Sequence, residues 1–445
     1  MKKEKGKNRF PVRLFTLCLV ITMLFSATLS GCGSSSTGGD SSSGKGIDKN
    51  IKATITIANS GNENDKKVAF FADENFKKKY PNVKIVDNFN AIPSWGEYSD
   101  KIVALIASGN APDIVNIAIE GTRMMVSKNI LAPLDDLIAN DPQSKELLAD
   151  IDPALINAFK VDGKLYEIPT GFNDMLIHYN PKLFKDAGVP EPTADWTWDD
   201  FLDAAKKLTK GEGENKVYGF AIPAFHFALI PWFLTNGTNT LTDDWTDSNL
   251  NDPKAIEAMQ FVRDLVYVHK VSPMPEANVD PAKLFQAGRA AMTGFGFWTV
   301  PDYNNNEFKD FAMAKWPSNG TSSTTFGVGG VGITSSCKNK ELAWELIKEY
   351  SSKETIEYNV QFGTAVPARK SIAASDAFLN KALHANLFYD VLPTTKPVPA
   401  PANFSEMEGI FMRHFSEFMA DQVSVQDAMN AAHEELSAAM KKLKK

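Results

Sequence analysis

The fold is decided by residues 53–117, ATITIANSGNENDKKVAFFADENFKKKYPNVKIVDNFNAIPSWGEYSDKIVALIASGNAPDIVNI. Thr54–Ile57 alternates polar and apolar residues as a strand does, and residues 65–80 follow with the spacing of a helix. A strand over 83–86, a second helix and a short apolar strand over 113–117 repeat the order. Because strands that alternate with helices pair in parallel, this stretch predicts an α/β fold with a helix-covered parallel sheet.

Downstream segments carry helix start signals and one glycine-rich run. Thr197 and Asp200 form a capping-box pattern, and Pro253 and Pro281 stand at first helical positions. Residues 327–332, GVGGVG, match the glycine spacing of a dinucleotide-binding loop, but the residues that follow continue as a strand instead of opening a helix. We therefore interpret this run as a glycine-rich strand.

Motifs of catalysis and metal binding are missing from the sequence. It has no Walker loop and no G-x-S-x-G elbow, and its six histidines have no metal-ligand spacing. The run from Asp247 begins like a calcium loop but has Asp252 and Ala258 where that loop needs Gly and Glu. Counting glutamates leaves a paired-carboxylate glycosidase open, although no motif supports one. We predict a protein that is not an enzyme and has no cofactor or metal.

The N-terminus predicts export and a lipid anchor. Residues 2–13 carry six basic residues, the apolar run from Leu14 to about Ala27 is too short for a comfortable membrane span, and Leu29-Ser30-Gly31-Cys32 resembles a lipobox. We predict a signal peptide over 1–31, lipidation at Cys32 and a flexible Ser/Gly-rich tether over 32–52. The predicted location is the extracellular face of the membrane of a Gram-positive bacterium, with the lipid as the only membrane contact.

Cysteine use and charge agree with this location. Cys18 leaves with the signal peptide and Cys32 carries the lipid, so only Cys337 remains and no internal disulfide forms. Removing residues 1–31 takes away six bases and one acid, which moves the formal charge from −7 to −12. Such an acidic chain is a poor partner for nucleic acid.

Four segments carry a resemblance to a known family. They are WGEY at 95–98 leading to ASGNAPDI at 107–114, YEIP at 166–169 followed by HYNPKLF at 178–184, FQAGRAAM at 285–292 leading to GFW at 296–298, and VPAR at 366–369. In this order they resemble the family 1 extracellular solute-binding proteins, the group that contains the maltose-binding protein. The resemblance covers nearly all of residues 53–445.

The resemblance implies a type II periplasmic-binding-protein fold, in which two α/β lobes close over a ligand by a hinge. It places three chain crossings near Phe172, Phe311 and Lys353. The first lobe then comprises residues 53–171 and 311–353, and the second comprises residues 172–310 and 354–445.

Candidate ligand residues combine polar groups near strand ends with flat aromatic rings, because a sugar offers hydroxyls and apolar ring faces. Trp298 matches the stacking aromatic of the family, and Asn173 and Asp174 occupy the first crossing, where the family often has an acid. The full predicted set is Asn59, Asn62, Glu63, Trp95, Asn116, Glu120, Asn173, Asp174, Phe225, His226, Trp232, Trp298 and Arg369.

The resemblance implies a monomeric lipoprotein that captures a sugar or oligosaccharide and delivers it to the permease of an ABC importer. One alternative is a binding protein for a peptide or polyamine, which the carboxylates Glu63, Glu120 and Asp174 keep open. A second alternative is an extracellular carbohydrate hydrolase.

Overall fold

A computed structural model describes residues 47–91, 94–276, 278–363 and 365–443. The predicted signal peptide, Cys32 and most of the tether lie outside these residues. The described chain opens with the predicted order of three strands and two helices, and the glycine-rich run forms a strand, as predicted.

The twelve strands of the described residues are β1 Ala53–Ser60, β2 Val83–Asn90, β3 Ile114–Ala118, β4 Lys160–Val161, β5 Lys164–Leu165, β6 Glu167–Asp174, β7 Leu176–Tyr179, β8 Met292–Phe295, β9 Ala312–Ala314, β10 Thr325–Ile333, β11 Val366–Pro367 and β12 Lys396–Pro397.

The α-helices of the same residues are α1 Glu63–Lys79, α2 Trp95–Ala107, α3 Ile119–Ser127, α4 Asp135–Asn140, α5 Gln143–Ala149, α6 Pro153–Ala158, α7 Pro181–Asp186, α8 Trp198–Leu208, α9 His226–Thr235, α10 Pro253–Tyr267, α11 Pro281–Gln286, α12 Val300–Asn305, α13 Lys340–Tyr350, α14 Lys353–Val360, α15 Lys370–Ala373, α16 Asp376–Leu379, α17 Leu387–Asp390, α18 Phe404–Met419 and α19 Val425–Leu443. Short 3-10 helices span Gly213–Asn215, Phe297–Thr299 and Leu392–Thr394.

Two sheets organise the chain. The larger sheet has the order β11-β6-β10-β3-β1-β2, with β12 beside β10, and the smaller sheet has the order β8-β7-β9. Strand β1 is parallel to β2 and β3, which confirms the predicted parallel sheet, whereas β10 runs antiparallel to β3 and β6. The carboxyl ends of β1 and β3 therefore meet at one edge, where ligands bind in open α/β sheets.

The connections between the sheets bear on the predicted lobes. Residues 312–314 pair with β7 of the smaller sheet, so the chain returns to the larger sheet between β9 and β10. The predicted crossings near Phe172, Phe311 and Lys353 stay predictions. The chain passes from the larger sheet to the smaller one at Met175, between β6 and β7. The described chain groups as one compact unit, and its division into two moving lobes stays a prediction.

Local sequence explains how the helices begin. The Asn62 side chain accepts hydrogen bonds from the backbone N–H groups of Asn64 and Asp65, and the Asp65 carboxylate accepts one from the Asn62 N–H at 2.8 Å. This capping box satisfies N–H groups that the first turn of α1 leaves without a helical partner. The predicted capping box of Thr197 and Asp200 is present at the start of α8.

Helix α18 comes from the C-terminal part of the chain and packs against α2, α3 and α9. Its Ser405 hydroxyl donates a hydrogen bond to the Asp100 carboxylate of α2 at 3.0 Å. Helix α18 therefore packs on α2 and α3, which cover the larger sheet, and on α9, which contacts β10 of the same sheet.

Candidate ligand-binding cleft

A cavity of about 720 Å³ lies between the larger sheet and the helices that follow the smaller one. Strands β1, β3, β6 and β10 contribute one wall, and the other comes from α9, α12 and the 3-10 helix Phe297–Thr299. This volume falls in the range of small-molecule sites. We call this cavity the cleft.

One wall of the cleft presents amide and carboxyl groups. It consists of Asn59 at the end of β1, Asn116 in β3, Glu120 in the first turn of α3 and Asn173 in β6. We call these four residues the polar wall. They lie in one region because β1, β3, β10 and β6 are successive neighbours in the larger sheet and α3 begins directly after β3.

A buried hydrogen-bond network lies behind the polar wall. Asn59 is 1% exposed and its Nδ2 donates to the Tyr350 hydroxyl at 3.0 Å, while that hydroxyl donates to Asp73 Oδ1 at 3.1 Å. Burial and, to a smaller extent, the charge of nearby Asp87 raise the pKa of Asp73 to about 7, although the hydrogen bond from Tyr350 opposes the shift. The network fixes the Asn59 side chain at the cleft surface.

The opposite wall presents the rings of Phe225, Phe227 and Trp298, which we call the aromatic wall. The Trp298 ring centroid lies 6.4 Å from that of Phe225 and 6.2 Å from that of Phe227. Trp298 is half-buried, so part of its ring faces the open cleft. An aromatic face in this position suits stacking on an apolar ring surface.

Gly296 explains why the Trp298 ring can lie where it does. A Cβ added at residue 296 would stand 2.0 Å from Cζ3 of that ring, far inside van der Waals contact. The absence of a side chain therefore lets the indole rest against the backbone two residues earlier.

Asn173 connects the two walls. Its Oδ1 accepts a hydrogen bond from the backbone N–H of Phe297 at 2.9 Å, at the start of the 3-10 helix that carries Trp298. The amide oxygen thus has a structural partner, and the side chain also lines the cleft.

Two carboxyl groups of the cleft have raised pKa values. Burial and, to a smaller extent, the charge of Glu408 raise the pKa of Glu120 to about 7, although a hydrogen bond from its own backbone N–H opposes the shift. Burial also raises the pKa of Glu408, with a smaller contribution from the charge of Glu97. These groups come from α3, α18 and α2, which pack together.

Eight of the thirteen residues predicted from sequence line the cleft: Asn59, Asn62, Trp95, Asn116, Glu120, Asn173, Phe225 and Trp298. Their placement agrees with the predicted site, and their contact with ligand stays a prediction. The other five lie elsewhere, and we remove them from the site.

Two of those five belong to the core around α9. Trp232 is 1% exposed, and its ring centroid lies 5.7 Å from that of Trp198 and 5.1 Å from that of Trp316. His226 is fully buried, with its ring centroid 5.4 Å from that of Phe411. Both wrong predictions have the same cause. Helix α9 is apolar on every side, so its sequence does not reveal which face meets the cleft.

The remaining three have other surroundings. Glu63 is exposed in the first turn of α1. Asp174 is fully buried, because successive side chains of a strand point to opposite faces and Asn173 takes the cleft side of β6. Arg369 is 7% exposed and forms an ion pair with Asp150, with 3.1 Å between Nη1 and Oδ2.

The structure adds cleft residues that sequence reasoning missed, among them Phe227, Tyr350, Phe404 and Glu408. Phe227 lies two residues after Phe225, a spacing that could have drawn attention to it. Phe404 and Glu408 come from α18, and nothing in their local sequence indicates that the helix returns to the cleft.

Within the described residues, no helix combines the length and apolar character needed to cross a bilayer. The same residues contain no group of three or more His, Cys, Asp or Glu that could hold a metal ion.

The family model for the bacterial extracellular solute-binding protein matches residues 60–357, more than half of the chain. The chain belongs to this family. Family membership places the solute-binding protein outside the cytoplasm, in an extracellular or periplasmic location.

Curated relatives span most of the solute-binding protein. A putative binding protein of Brucella abortus is 27% identical over 356 residues, which cover 75% of this chain and 80% of the relative. The galactooligosaccharide-binding protein of Bacillus subtilis is 24% identical over 411 residues, which cover 89% of each chain.

Solved structures agree with the architecture. An ABC substrate-binding protein of Listeria monocytogenes, in complex with cycloalternan, has a TM-score of 0.78 and 26% identity, and the match covers 88% of this chain and 100% of the other. A maltose-bound protein of T. maritima has a TM-score of 0.74 and 21% identity, with coverage of 88% and 100%. The solute-binding protein therefore has the type II periplasmic-binding-protein fold predicted from its sequence.

Proposed function

We propose that this solute-binding protein captures an oligosaccharide outside a bacterial cell and delivers it to the permease of an ABC importer. The observation that carries the proposal is the combination, in the lining of one cleft, of amide and carboxyl groups with a half-buried tryptophan. A sugar site needs polar side chains and an aromatic ring, because sugar hydroxyls form hydrogen bonds with planar polar groups while the apolar ring faces stack on aromatic rings.

The relatives support this ligand class. The Bacillus subtilis relative is named for galactooligosaccharides, and the structural neighbour of Listeria monocytogenes holds cycloalternan. The volume of the cleft, about 720 Å³, leaves room for more than one sugar unit.

A binding screen tests the proposal. Purified mature protein is heated with each member of a panel of neutral mono- and oligosaccharides, and hits are measured by calorimetry. A ligand at about 100 times its dissociation constant adds roughly 2.7 kcal/mol to the free energy of unfolding, which raises the melting temperature measurably. Failure of every saccharide to raise it, together with a shift from a peptide or polyamine, overturns the proposal.

Product analysis of the same mixtures separates binding from hydrolysis. We expect each saccharide that binds to be recovered intact after prolonged incubation. Cleavage at enzymatic rates would show a carbohydrate hydrolase instead.

The proposal includes hinged closure of two lobes across the cleft. Small-angle scattering is expected to show a smaller radius of gyration once a saccharide from the screen is added. An unchanged radius at saturating ligand contradicts closure on binding, and calorimetry on the same sample establishes that the site is filled.

We also propose that Cys32 carries the lipid that anchors the monomeric protein near its permease. The support is the lipobox-like sequence of residues 29–32 after a short apolar run. Mass spectrometry of the protein from membranes is expected to find a mature N-terminus at Cys32 with acyl chains, and Cys32→Ala is expected to abolish acylation. A mature N-terminus elsewhere, without lipid, overturns this part.

A further inference from the structure

The charged residues that line the cleft all have one sign. Among the described residues, its lining includes the carboxyl groups of Asp65, Glu120, Asp302 and Glu408 but no lysine, arginine or histidine. Lys67 lies outside the lining, is exposed, and has its Nζ 5.2 Å from the ring centroid of Phe362. An anionic ligand would therefore enter a cleft that offers it no buried cation.

Glu120 holds a carboxyl oxygen that lacks a donor. Its Oε2 is fully buried and forms no hydrogen bond with any described residue. A buried acceptor without a donor is unfavourable by about 1–3 kcal/mol, so a ligand that brings a donor gains from meeting it.

An aromatic ring stands beside this carboxyl group. The point where a Cβ of Gly327 would lie is 3.6 Å from Phe227 Cζ and 3.8 Å from Glu120 Oε1. Residue 327 is glycine, so no side chain of its own occupies this point. The Phe227 ring and the Glu120 carboxylate both lie next to it. Ammonium groups bind at such points, since they are attracted both to aromatic faces and to carboxylates.

Glu408 adds a second carboxylate from α18. The negative charge of Glu408 raises the pKa of Glu120, and α18 packs directly against α3. A neutral ligand leaves the repulsion between these two groups in place, whereas a cation near both relieves it.

We infer that the cleft selects saccharides that carry an amino group and rejects saccharides that carry carboxylate or phosphate groups. This inference rests on the proposed function, and it makes Glu120 and Glu408 the residues that determine specificity.

The test compares saccharides that carry hydroxyl, acetamide, amine or carboxylate groups. One set contains cellotetraose, the tetramer of N-acetylglucosamine and the tetramer of glucosamine, which share a backbone and differ at carbon 2. A second set contains maltotetraose and acarbose, which carries one secondary amine, and tetragalacturonate supplies the anion. Calorimetry at pH 7 is expected to show the amine binding about tenfold more tightly than the hydroxyl or acetamide counterpart in at least one set, and no binding of tetragalacturonate.

Charge-neutralising variants assign the effect to its residues. In Glu120→Gln and, separately, Glu408→Gln, the ratio of the affinity for the amine to the affinity for its neutral counterpart is expected to fall about tenfold. Glu406→Gln is the matched control, because it removes the same charge from an exposed position of α18 outside the cleft lining. Two separate variants keep the test decisive if one of them does not fold.

The outcomes separate this inference from the proposed function. If neutral saccharides bind and no amine binds more tightly, or if tetragalacturonate binds equally well, the selectivity is overturned and the proposed function stands. A loss in Glu406→Gln equal to that in the cleft variants also overturns it, because net charge would then explain the effect. If no saccharide binds but spermidine does, both proposals fall.

Discussion

The two walls of the cleft are built by different means. Members of the polar wall come from β1, from β3 with the adjoining α3, and from β6. These three regions are far apart in sequence and meet through the pairing of the larger sheet. The aromatic wall comes from two short segments at 225–227 and 296–298, whose rings contact one another directly. A change in the aromatic wall should therefore affect the ligand more than the fold, while the buried support of the polar wall should affect stability.

The largest expected effect is that of Trp298→Ala. Truncating a central aromatic anchor typically weakens binding by about 2 kcal/mol or more, a roughly 30-fold loss of affinity. Calorimetry with a saccharide from the screen measures the loss. Trp245→Ala serves as the control, because Trp245 is also half-buried but packs under Arg123 outside the cleft. An unchanged affinity in Trp298→Ala, or a sharp fall in the melting temperature of its ligand-free form, would make Trp298 a structural residue.

The support of the polar wall is tested by Asp73→Asn. Folded Asp73 keeps its proton up to about pH 7, whereas the ordinary aspartate pKa is 3.8, so the folded state binds more protons between these values. Its contribution to stability is therefore complete below about pH 4 and is lost as the pH rises towards 7. The neutral amide should remove this loss and raise the free energy of unfolding at pH 8 by about 2 kcal/mol.

Urea unfolding at pH 5 and pH 8 measures the difference between Asp73→Asn and the parent. Glu74→Gln is the matched control on the same helix, since Glu74 is exposed, and we expect it to change the free energy of unfolding by less than about 0.5 kcal/mol. Equal pH dependence in Asp73→Asn and the parent would contradict a buried, protonated Asp73.

A smaller effect is expected from Gly296→Ala. The added Cβ must displace the Trp298 ring, and because that ring borders open space it can move without disrupting the core. We expect about a tenfold loss of affinity, corresponding to overpacking by about 1–3 kcal/mol, with little change in melting temperature. Gly409→Ala adds the same methyl group where nothing lies within 4 Å, and its affinity should match that of the parent.

The smallest effect is expected from Asn116→Ala. Removing one amide from the polar wall deletes one hydrogen bond to a ligand hydroxyl, which is worth about 1 kcal/mol, or roughly a fivefold change in affinity. Asn88→Ala on the exposed side of β2 is the control, and it should leave affinity unchanged. A loss as large as that of Trp298→Ala would mean that the polar wall, and not the aromatic wall, contributes most of the binding energy.

The sequence predicts what depends on short-range patterns. The alternation of strands and helices, the capping box at Thr197 and the strand character of residues 327–332 are all confirmed, because each depends on neighbours within a few residues. Asp174 shows where a stricter use of strand alternation would have corrected the prediction, since the side chains of Asn173 and Asp174 point to opposite faces of the sheet.

Long-range placement could not be predicted in the same way. Glu408 reaches the cleft because α18 packs on α2 and α3, which the residues around 408 do not indicate. Trp232 and Phe227 lie in one apolar helix, and only the tertiary structure shows that the first faces the core and the second faces the cleft.

The half-exposed position of Trp298 has an optical consequence. Of the eight tryptophans in the chain, five are buried, namely Trp196, Trp198, Trp232, Trp316 and Trp344. Of the remaining three, Trp95 and Trp298 line the cleft and Trp245 does not. A ligand that covers the two cleft indoles replaces water around them while the other six keep their surroundings, so the intrinsic fluorescence of the unlabelled protein reports directly on cleft occupancy.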